Sequence, residues 1–430
     1  MTIRDTALQA KAASRRLATL PADVKNAALT AIADALEASA ERIREANDAD
    51  LAEARASGLA APLLKRLSFQ GHKVADAAAG LRSLRGLPEP VGRVLSRTEL
   101  DEGLVLTRVT CPLGVIGVIF ESRPDALVQI SALCLKSGNA CLLKGGREAL
   151  RTNRVLAAIV RGAAATAGVP DGWIQLLETR DEVAEMLALD DLVDLVIPRG
   201  SNEFVRHIMA TSRIPVMGHA AGVCHVYVDR AADPAMALAI AEDAKCQYPA
   251  VCNACETLLV HADIAPSFLP ALAGRLAARG VELRGCERTR AILPACLPAT
   301  DADWDAEYLD LVLAIRVVDS LDEAIAHINR HGSGHTEAIV TADAAAAERF
   351  LDEVDAADVF WNASTRFADG YRFGLGAEVG ISTSKLHARG PVGLDGLLST
   401  KWKLRGSGQT VAPYADGTRA FTHRPLELPR

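Results

Sequence analysis

Apolar residues recur every three or four places in residues 22–80, which predicts helices. One helical face carries the apolar residues Leu29, Ile32, Leu36, Ala40 and Ile43. Pro21 stands where this helix begins, and Gly58 stands where a helix ends. Residues 1–17 also fit an amphipathic helix and lack the apolar core of a signal peptide.

Residues 91–109 change to an alternation of apolar and polar residues around an Asp-Glu-Gly turn at 101–103. This alternation predicts a β-hairpin. Because both faces of the hairpin mix polar and apolar side chains, we expect it to project as an arm that pairs with another subunit or domain.

From Gly114 onward, continuous apolar runs of strand length alternate with segments of helical length. The predicted strands are 115–120, 139–146, 173–178 and 194–198. The predicted helices are 126–138, 147–168 and 201–212. This alternation favours a parallel, doubly wound sheet, and the Val-, Ile- and Leu-rich strands suit burial on both faces.

A second α/β region begins near His219. Its predicted strands are 225–229, 257–261, 311–318 and 337–341, and its predicted helices are 234–247 and 321–332. Residues 364–408 are rich in Gly, Ser and basic side chains and show weak periodicity. We interpret them as loops at a site or an interface, because long irregular segments in compact domains are usually functional.

The charge balance and the aromatic content exclude several classes of partner. The 430-residue chain has 47 Lys and Arg against 54 Asp and Glu, a net charge of −7, and 4% aromatic residues. Nucleic-acid binding is not expected, because it needs a basic face or stacking platforms. No apolar run has the length of a membrane-spanning helix. The odd number of cysteines, nine, suits free thiols, so we expect a cytoplasmic protein without a membrane partner.

Cys252 is the candidate nucleophile. The segment YPAVCNACETLLVH places it in a loop just before a predicted strand. Small neighbours leave such a thiol open to substrate, and its own backbone N–H can stabilise an oxyanion. Cys252 and Cys255 form a C-x-x-C pair, but no second pair follows at zinc-ribbon spacing, so we predict no metal site. A redox dithiol is an alternative interpretation, which a dithiol titration tests.

Two short segments indicate a nucleotide site, although no G-x-G-x-x-G fingerprint follows a predicted strand. Lys144 ends a strand and precedes Gly145 and Gly146, which allow a ligand to approach the backbone. Gly200 and Ser201 lie between a strand and a helix start, where backbone N–H groups suit a pyrophosphate. An ordinary turn and an ordinary helix cap are the alternative interpretations.

Longer stretches carry a resemblance to a known family. Four of them follow one another as in the aldehyde dehydrogenase superfamily: NACLLKGGREA, DLVIPRGSNEFV, CNACETLLVH and EYLDLVLAIRVV. Three others resemble the γ-glutamyl phosphate reductase branch more closely: VDSLDEAIAHINRHGSGHTEAI, WNASTRFADG and FGLGAEVGISTSKLHARGPVGLDGLLSTKW. The similarity extends from about Ser14 to Lys403.

The resemblance implies an α/β, aldehyde-dehydrogenase-like fold in three parts. A doubly wound cofactor-binding domain takes residues 1–88 and 114–220, and an α/β catalytic domain takes residues 221–385. A β-hairpin oligomerisation arm takes residues 89–113 and 395–415. The strand near residues 399–403 is expected to complete this arm across subunits, so a homo-oligomer is expected.

The same resemblance implies roles for individual residues. Cys252 matches the nucleophile, whereas the second cysteine of the pair falls where relatives carry a small or apolar residue. Lys144 matches the lysine that contacts the adenosine ribose or its 2′-phosphate, and Glu307 matches the glutamate that holds the nicotinamide ribose. Gly200 and Ser201 match the pair that opens the pyrophosphate-facing helix. NADPH or NADP is the implied cofactor.

Two arginines and three further residues complete the expected site. Arg123 and Arg366 lie in loops that flank the active site of the resembling fold, and guanidinium groups suit a carboxylate and a phosphate. His219 stands where most relatives carry the glutamate that activates water, and Ser122 stands where they carry an oxyanion-binding amide. We expect His335 to be a structural histidine bonded to a turn.

The resemblance implies an oxidoreductase of proline biosynthesis. It would reduce L-glutamyl 5-phosphate to L-glutamate 5-semialdehyde and phosphate, with NADPH and through a cysteine thioester. Contact with the upstream glutamate kinase is a further expected interaction. The alternatives are a hydrolytic aldehyde dehydrogenase, which the missing glutamate disfavours, and a non-catalytic oligomeric scaffold, which would give no signal in a phosphate-dependent oxidation assay.

Overall fold

The chain forms two compact units in a computed structural model that describes residues 2–429. Unit 1 comprises the residues up to 217, residues 375–380 and the residues from 392 onward, and unit 2 comprises residues 218–374 and 381–391. The observed division after residue 217 lies close to the boundary after residue 220 that the sequence predicts. None of the described helices is both long enough and apolar enough to pass through a lipid bilayer.

Unit 1 begins with helices and then alternates strands with helices. The helices come first: α1 (Ile3–Leu17), α2 (Ala22–Ala38), α3 (Ala40–Ala56), α4 (Ala61–Leu67) and α5 (His72–Gly86). A hairpin follows, formed by β1 (Val94–Asp101) and β2 (Leu104–Pro112). The alternating part comprises β3 (Val115–Phe120), α6 (Pro124–Lys136), β4 (Ala140–Lys144), α7 (Leu150–Thr166), β5 (Ile174–Leu177), α8 (Arg180–Leu187), β6 (Leu195–Arg199) and α9 (Asn202–Thr211).

Unit 2 continues the alternation. Its elements are β7 (Cys224–Val228), α10 (Pro234–Cys246), β8 (Cys255–His261), α11 (Ala265–Ala278), β9 (Glu282–Gly285), α12 (Glu287–Ile292), β10 (Leu297–Pro298), α13 (Asp301–Trp304), β11 (Val312–Val318), α14 (Leu321–His331), β12 (Thr336–Val340), α15 (Ala344–Glu353) and β13 (Asp358–Trp361). The chain then forms β14 (Gly380–Ser382), β15 (Gly390–Val392), β16 (Leu398–Arg405), α16 (Ala412–Ala415) and β17 (Arg424–Pro425).

The prediction that Leu29, Ile32, Leu36, Ala40 and Ile43 lie on one face of a single helix is wrong, because two helices share these residues. α2 begins after Pro21, as predicted, but it ends before Ser39, which separates it from α3. Leu36 is buried in α2 and Ile43 is buried in α3, whereas Ala40 is exposed. Ser39 leaves the helical backbone conformation (φ −101°, ψ 13°), so the apolar spacing does not continue as one stripe.

The predicted hairpin is confirmed, and a third strand of the same chain joins it. β16 pairs with β2 of the same chain in an antiparallel register that runs from Leu398 to Arg405. Only one edge of β16 is used by this pairing. Pairing of residues 399–403 across subunits stays a prediction. Asn139 Nδ2 donates a 2.8 Å hydrogen bond to the Leu397 carbonyl, which holds the start of β16 beside its own β2. With β17 on the far side, the strand order is β16-β2-β1-β17.

Two parallel sheets confirm the predicted α/β class. In unit 1 the strand order is β5-β4-β3-β6, and every residue of β3 and β4 is buried. In unit 2 the order is β10-β9-β11-β8-β7-β12-β13. Since parallel strands begin at one edge and end at the other, residues that precede β8, β7 and β12 meet at a single edge of the unit 2 sheet.

Candidate active site

Cys252 lies in a tight turn between α10 and β8 and is half-buried. The Ala254 N–H donates to the Val251 carbonyl at 3.1 Å, which closes the turn around the cysteine. Asn253 is buried and donates from Nδ2 to the Ala368 carbonyl at 2.7 Å. Because Asn253 and Ala254 are both hydrogen-bonded to backbone carbonyls, the turn that carries the thiol is restrained.

The backbone of Cys252 also packs closely on the segment before β7. The Cys224 thiol donates to the Cys252 carbonyl at 3.1 Å. A β-carbon placed on Gly222 would lie only 2.0 Å from the same carbonyl oxygen, so no residue other than glycine fits there. Gly222 is therefore required for a steric reason, which the sequence alone does not reveal.

Two histidines approach the Cys252 thiol at the edge where β8, β7 and β12 begin. One ring nitrogen of His219, one of His335 and the Cys252 Sγ all lie within 4.8 Å of one another. The two rings meet edge to face, with centroids 5.0 Å apart. The His219 Nδ1 is 3.0 Å from the Ile381 carbonyl, which accepts its proton and so defines the tautomer of that ring.

His335 is fully buried directly before β12. Its Nδ1 lies 2.7 Å from Thr336 Oγ1, a local contact consistent with the expected structural histidine. Burial, and secondarily the neighbouring His219, lowers the pKa of His335 well below its usual value, so the ring is neutral. Its Nε2 has no hydrogen-bond partner within residues 2–429, a feature that the sequence does not reveal.

Arg366 shares unit 2 with Cys252. It lies in the short helical turn Thr365–Phe367 and is 8% exposed, and its Nε donates to Gln247 Oε1 at 3.0 Å. Burial, and then the neighbouring Arg372, lowers the pKa of Arg366, whereas the negative charges of Asp243, of an ionised Cys252 and of Asp369 act in the opposite direction. Arg366 is therefore near enough to Cys252 for the two charges to interact.

Glu307 lies in the loop between α13 and β11 and is half-buried. Its charge contributes to the raised pKa of Glu256, which is about 7 and is due mainly to burial. Glu256 is paired with Lys245 at 2.5 Å, and the Leu309 N–H donates to its other oxygen at 3.3 Å. This buried pair anchors the loop that carries Glu307.

Lys144 ends β4 in unit 1, as predicted, and is 9% exposed. Its Nζ donates to the Gly145 carbonyl at 2.5 Å, and burial lowers its pKa. β-carbons on Gly145 and Gly146 would meet Asn153 Nδ2 at 2.1 Å and Glu148 Oε1 at 2.0 Å. An added methyl group would displace these two side-chain ends, so the glycines leave space that Asn153 and Glu148 occupy. Access of a ligand to this backbone stays a prediction.

Gly200 and Ser201 connect β6 to α9. A β-carbon on Gly200 would lie 2.9 Å from Glu121 Oε2 and 2.9 Å from the Phe204 ring. Ser201 is the N-cap of α9 and accepts the Phe204 N–H at 3.4 Å. β6 and β4 flank β3 in the sheet, so Lys144 and this helix start lie at the same edge of unit 1.

Ser122 and Arg123 follow β3 at that edge. Ser122 is buried with a positive φ of 42°, and its N–H and Oγ donate to Glu148 Oε1 at 2.7 and 2.5 Å. The Ser122 hydroxyl is therefore committed to Glu148, and the carboxylate is held by Ser122. Arg123 is exposed and its nearest carboxylate, Asp125, is 3.4 Å away.

Comparisons with known proteins agree on one family. The sequence model of the aldehyde dehydrogenase family matches residues 2–284 and 300–402. A γ-glutamyl phosphate reductase of Pelotomaculum thermopropionicum is 59% identical over 99% of this chain and 98% of that protein. Another, from Synechococcus sp. (strain JA-3-3Ab), is 60% identical over 96% of this chain and 92% of that protein.

Solved structures agree with the sequence comparisons. The γ-glutamyl phosphate reductase of Thermotoga maritima is 40% identical, with a TM-score of 0.93 over 95% of this chain and 100% of that one. An acetylating aldehyde dehydrogenase of Geobacillus thermoglucosidasius is 18% identical, with a TM-score of 0.66 over 95% and 97% of the two chains. The second likeness concerns the fold alone.

Proposed function

Because the chain belongs to the aldehyde dehydrogenase family, and within it to the γ-glutamyl phosphate reductases, we propose that it reduces L-glutamyl 5-phosphate with NADPH through a thioester on Cys252. It is an oxidoreductase of the phosphorylating glutamate-5-semialdehyde dehydrogenase type. The reductase function belongs to proline biosynthesis. We propose the preference for NADPH, the thioester intermediate and the roles of the individual residues.

The hydrogen-bonded turn that carries Cys252, packed against Gly222, is the observation that carries the proposal. An acyl phosphate has a good leaving group, so a thiolate at a fixed position displaces phosphate without further activation of the carbonyl. In this step the Cys252 Sγ forms a bond to the acyl carbon, and the bond from that carbon to the phosphate oxygen breaks. The electron pair leaves with inorganic phosphate, and the acyl group remains as a thioester.

Arg366 is proposed to bind an anionic group of the substrate. Its guanidinium is largely removed from solvent, and a charge-assisted hydrogen bond in such a setting contributes about 1.5–3 kcal/mol. The substrate offers two anionic groups, the α-carboxylate and the phosphate, and both match the planar geometry of a guanidinium. Arg123, which is exposed, is proposed to make a weaker contact.

The residues at the edge of the unit 1 sheet fit a dinucleotide. Lys144 provides a cation at the end of β4, and the capped start of α9 provides backbone N–H groups for a pyrophosphate. We assign Lys144 to the ribose or its 2′-phosphate, Gly200 and Ser201 to the pyrophosphate, and Glu307 to the nicotinamide ribose. When bound, NADPH supplies the hydride that converts the thioester carbon to the aldehyde oxidation level. Breakage of the C–S bond then returns the thiolate to Cys252.

The residue at the water-activating position favours phosphate over water as the second nucleophile. His219 replaces the glutamate, and its Nδ1 is engaged with the Ile381 carbonyl. An enzyme without a dedicated base for water keeps its thioester until hydride or phosphate arrives. This supports the reductase over the hydrolytic alternative.

The oxidation of glutamate 5-semialdehyde with phosphate and NADP tests the proposal, with the absorbance of the reduced cofactor as the readout. We expect Cys252→Ala to abolish turnover while its melting temperature stays near that of the wild type. Cys255→Ala is the matched control, because Cys255 is buried in β8 and burial raises its pKa to about 12. An active Cys252→Ala variant, or an inactive Cys255→Ala variant alone, would refute the assignment.

The arm is proposed to join subunits into a homo-oligomer. β16 is the edge strand of its sheet, and Trp402 and Leu404 on it are 59% and 56% exposed. An edge strand with free backbone groups and apolar side chains is a template for pairing with another chain. Contact with the upstream glutamate kinase and a cytoplasmic location stay predictions.

A further inference from the structure

The three residues before β8, β7 and β12 form a compact group of soft metal ligands. A thiol and two imidazole nitrogens, from Cys252, His219 and His335, lie within 4.8 Å of one another. Thiolate and neutral imidazole are the ligands that Zn²⁺ and related ions prefer, and hard ions such as Mg²⁺ prefer oxygen. The proposed reaction uses the Cys252 thiol as a nucleophile, and it does not explain why two imidazole nitrogens lie beside that thiol.

The surroundings of both histidines suit metal ligation. A metal-binding histidine usually gives its other ring nitrogen to a carbonyl or another polar group, which fixes the ring. The His219 Nδ1 meets the Ile381 carbonyl at 3.0 Å, and the His335 Nδ1 meets Thr336 Oγ1 at 2.7 Å. The Thr336 hydroxyl is in turn 3.4 Å from Asp358 Oδ2.

The environment of His335 also indicates that a ligand binds here. Its side chain is completely buried, and its Nε2 has no hydrogen-bond partner in the described part of the chain. A buried nitrogen without a partner costs free energy unless a ligand satisfies it.

The distances require a modest contraction. Zinc binds sulfur at about 2.3 Å and nitrogen at about 2.0–2.1 Å, so tetrahedral ligand atoms lie about 3.5 Å apart. Starting from separations of up to 4.8 Å, the ligand atoms need to approach by about 1 Å. Cys252 and His219 are only half-buried, so rotation of their side chains can supply this movement.

We propose that His219, Cys252 and His335 together bind one Zn²⁺ ion, or a similar soft divalent cation, and that this binding reversibly blocks the enzyme. The thiol proton passes to solvent as the metal–sulfur bond forms, and no oxidation or reduction occurs. Three protein ligands leave a fourth position for water. The blocking effect rests on the proposed role of Cys252 as nucleophile, whereas the binding itself does not.

Cobalt is the probe for the binding. Metal-free protein, treated with a chelator, is titrated with Co²⁺ in the absence of substrate, and a thiolate-to-cobalt charge-transfer band in the near ultraviolet is followed. We expect one Co²⁺ per chain and displacement by one Zn²⁺. His335→Asn keeps a polar group for Thr336 but removes Nε2, so we expect it to weaken the affinity about 100-fold or more.

Two further variants keep the test decisive. His219→Gln removes the second imidazole and is expected to weaken Co²⁺ binding as His335→Asn does, so one unstable variant does not end the test. Cys255→Ala, with an intact ligand set, is expected to bind Co²⁺ as the wild type does. In turnover assays, Zn²⁺ should inhibit the wild type, a chelator should restore the rate, and the inhibition constant should follow the Co²⁺ affinity across the variants.

The absence of a charge-transfer band in the wild type at excess Co²⁺ would overturn the proposal. A band that persists unchanged in both histidine variants would also overturn it, because another cysteine would then hold the metal. The rate in the presence of chelator tests the proposed function separately. Loss of that rate with normal Co²⁺ binding would refute the function and leave the metal site intact.

Discussion

Gly222 and Cys252 touch through their backbones, and the contact leaves no space for a side chain. A β-carbon on Gly222 would lie 2.5 Å from the Cys252 Cα and 2.0 Å from its carbonyl oxygen. Both atoms belong to backbone, so the overlap can be relieved only by moving the turn that carries the thiol. The segment before β7 thus determines where the predicted nucleophile stands.

We expect Gly222→Ala to lower kcat by about 100-fold, since a displacement of about 1 Å at a reacting group has effects of that size. The kinetics and the alkylation rate of the Cys252 thiol report the displacement. Gly274→Ala is the control, because Gly274 lies in α11 with no atom within 4 Å of the added carbon. The control should retain activity and gain about 0.5–1 kcal/mol of stability. Wild-type kcat in Gly222→Ala would show that the contact does not position the thiol.

Lys144→Ala is expected to weaken the preference for NADPH over NADH. A charge-assisted contact with a 2′-phosphate contributes about 1.5–3 kcal/mol, which corresponds to about 10- to 100-fold in kcat/KM. Kinetics with both cofactors measure the ratio of the two kcat/KM values. An unchanged NADPH:NADH ratio in Lys144→Ala would remove this residue from the cofactor site.

Arg366→Gln is expected to raise the KM for phosphate or for the semialdehyde by about 10- to 100-fold, because the buried guanidinium would lose a charge-assisted contact. Arg123→Gln is expected to change either KM by about fivefold or less, since exposed ion pairs contribute about 0–1 kcal/mol. Steady-state kinetics that vary each substrate measure both effects. A larger effect from Arg123 than from Arg366 would reverse the proposed assignment.

His327 is expected to make the protein less stable in mild acid. Burial, with smaller effects of His225 and His331, lowers the pKa of His327 to about 2, compared with 6.5 for the free side chain. Below pH 6.5 the unfolded chain therefore binds a proton that the folded chain does not. The free energy of unfolding then falls by about 1.4 kcal/mol per pH unit, or about 2 kcal/mol between pH 7 and pH 5.

Urea unfolding of the wild type and of His327→Gln at both pH values isolates this contribution, because the other titrating groups are common to both proteins. The variant should lose about 2 kcal/mol less than the wild type on acidification. Equal losses would mean that His327 is protonated in the folded protein.

The sequence predicted most of the sheet architecture because the central strands are continuous apolar runs. β3 and β4 are buried throughout, and their predicted positions agree with the structure to within two residues. β10 was missed because it comprises two exposed residues, Leu297 and Pro298. The break at Ser39 was missed because apolar spacing continues across it, and only the backbone conformation of one residue separates the two helices.

The candidate site was predictable where a role belongs to one segment. The loop before a strand indicated Cys252, and the strand end indicated Lys144. The approach of His219 and His335 to Cys252 depends on the strand order β8-β7-β12, which brings together segments that are distant in the chain. The sequence predicted the strands at 225–229, 257–261 and 337–341, but it did not predict their order in the sheet. Without that order, the approach of the two histidines to Cys252 could not be predicted.

The dependence of semialdehyde oxidation on phosphate tests the central claim most directly. With NADP and no phosphate, we expect a burst near one reduced cofactor per active site and then a slow rate, because general-base activation of water, about 10²–10⁴-fold, is missing. Addition of phosphate or arsenate should start steady turnover. A sustained rate without phosphate that equals the rate with it would contradict the account, and His219 would be the first residue to examine as the base for water.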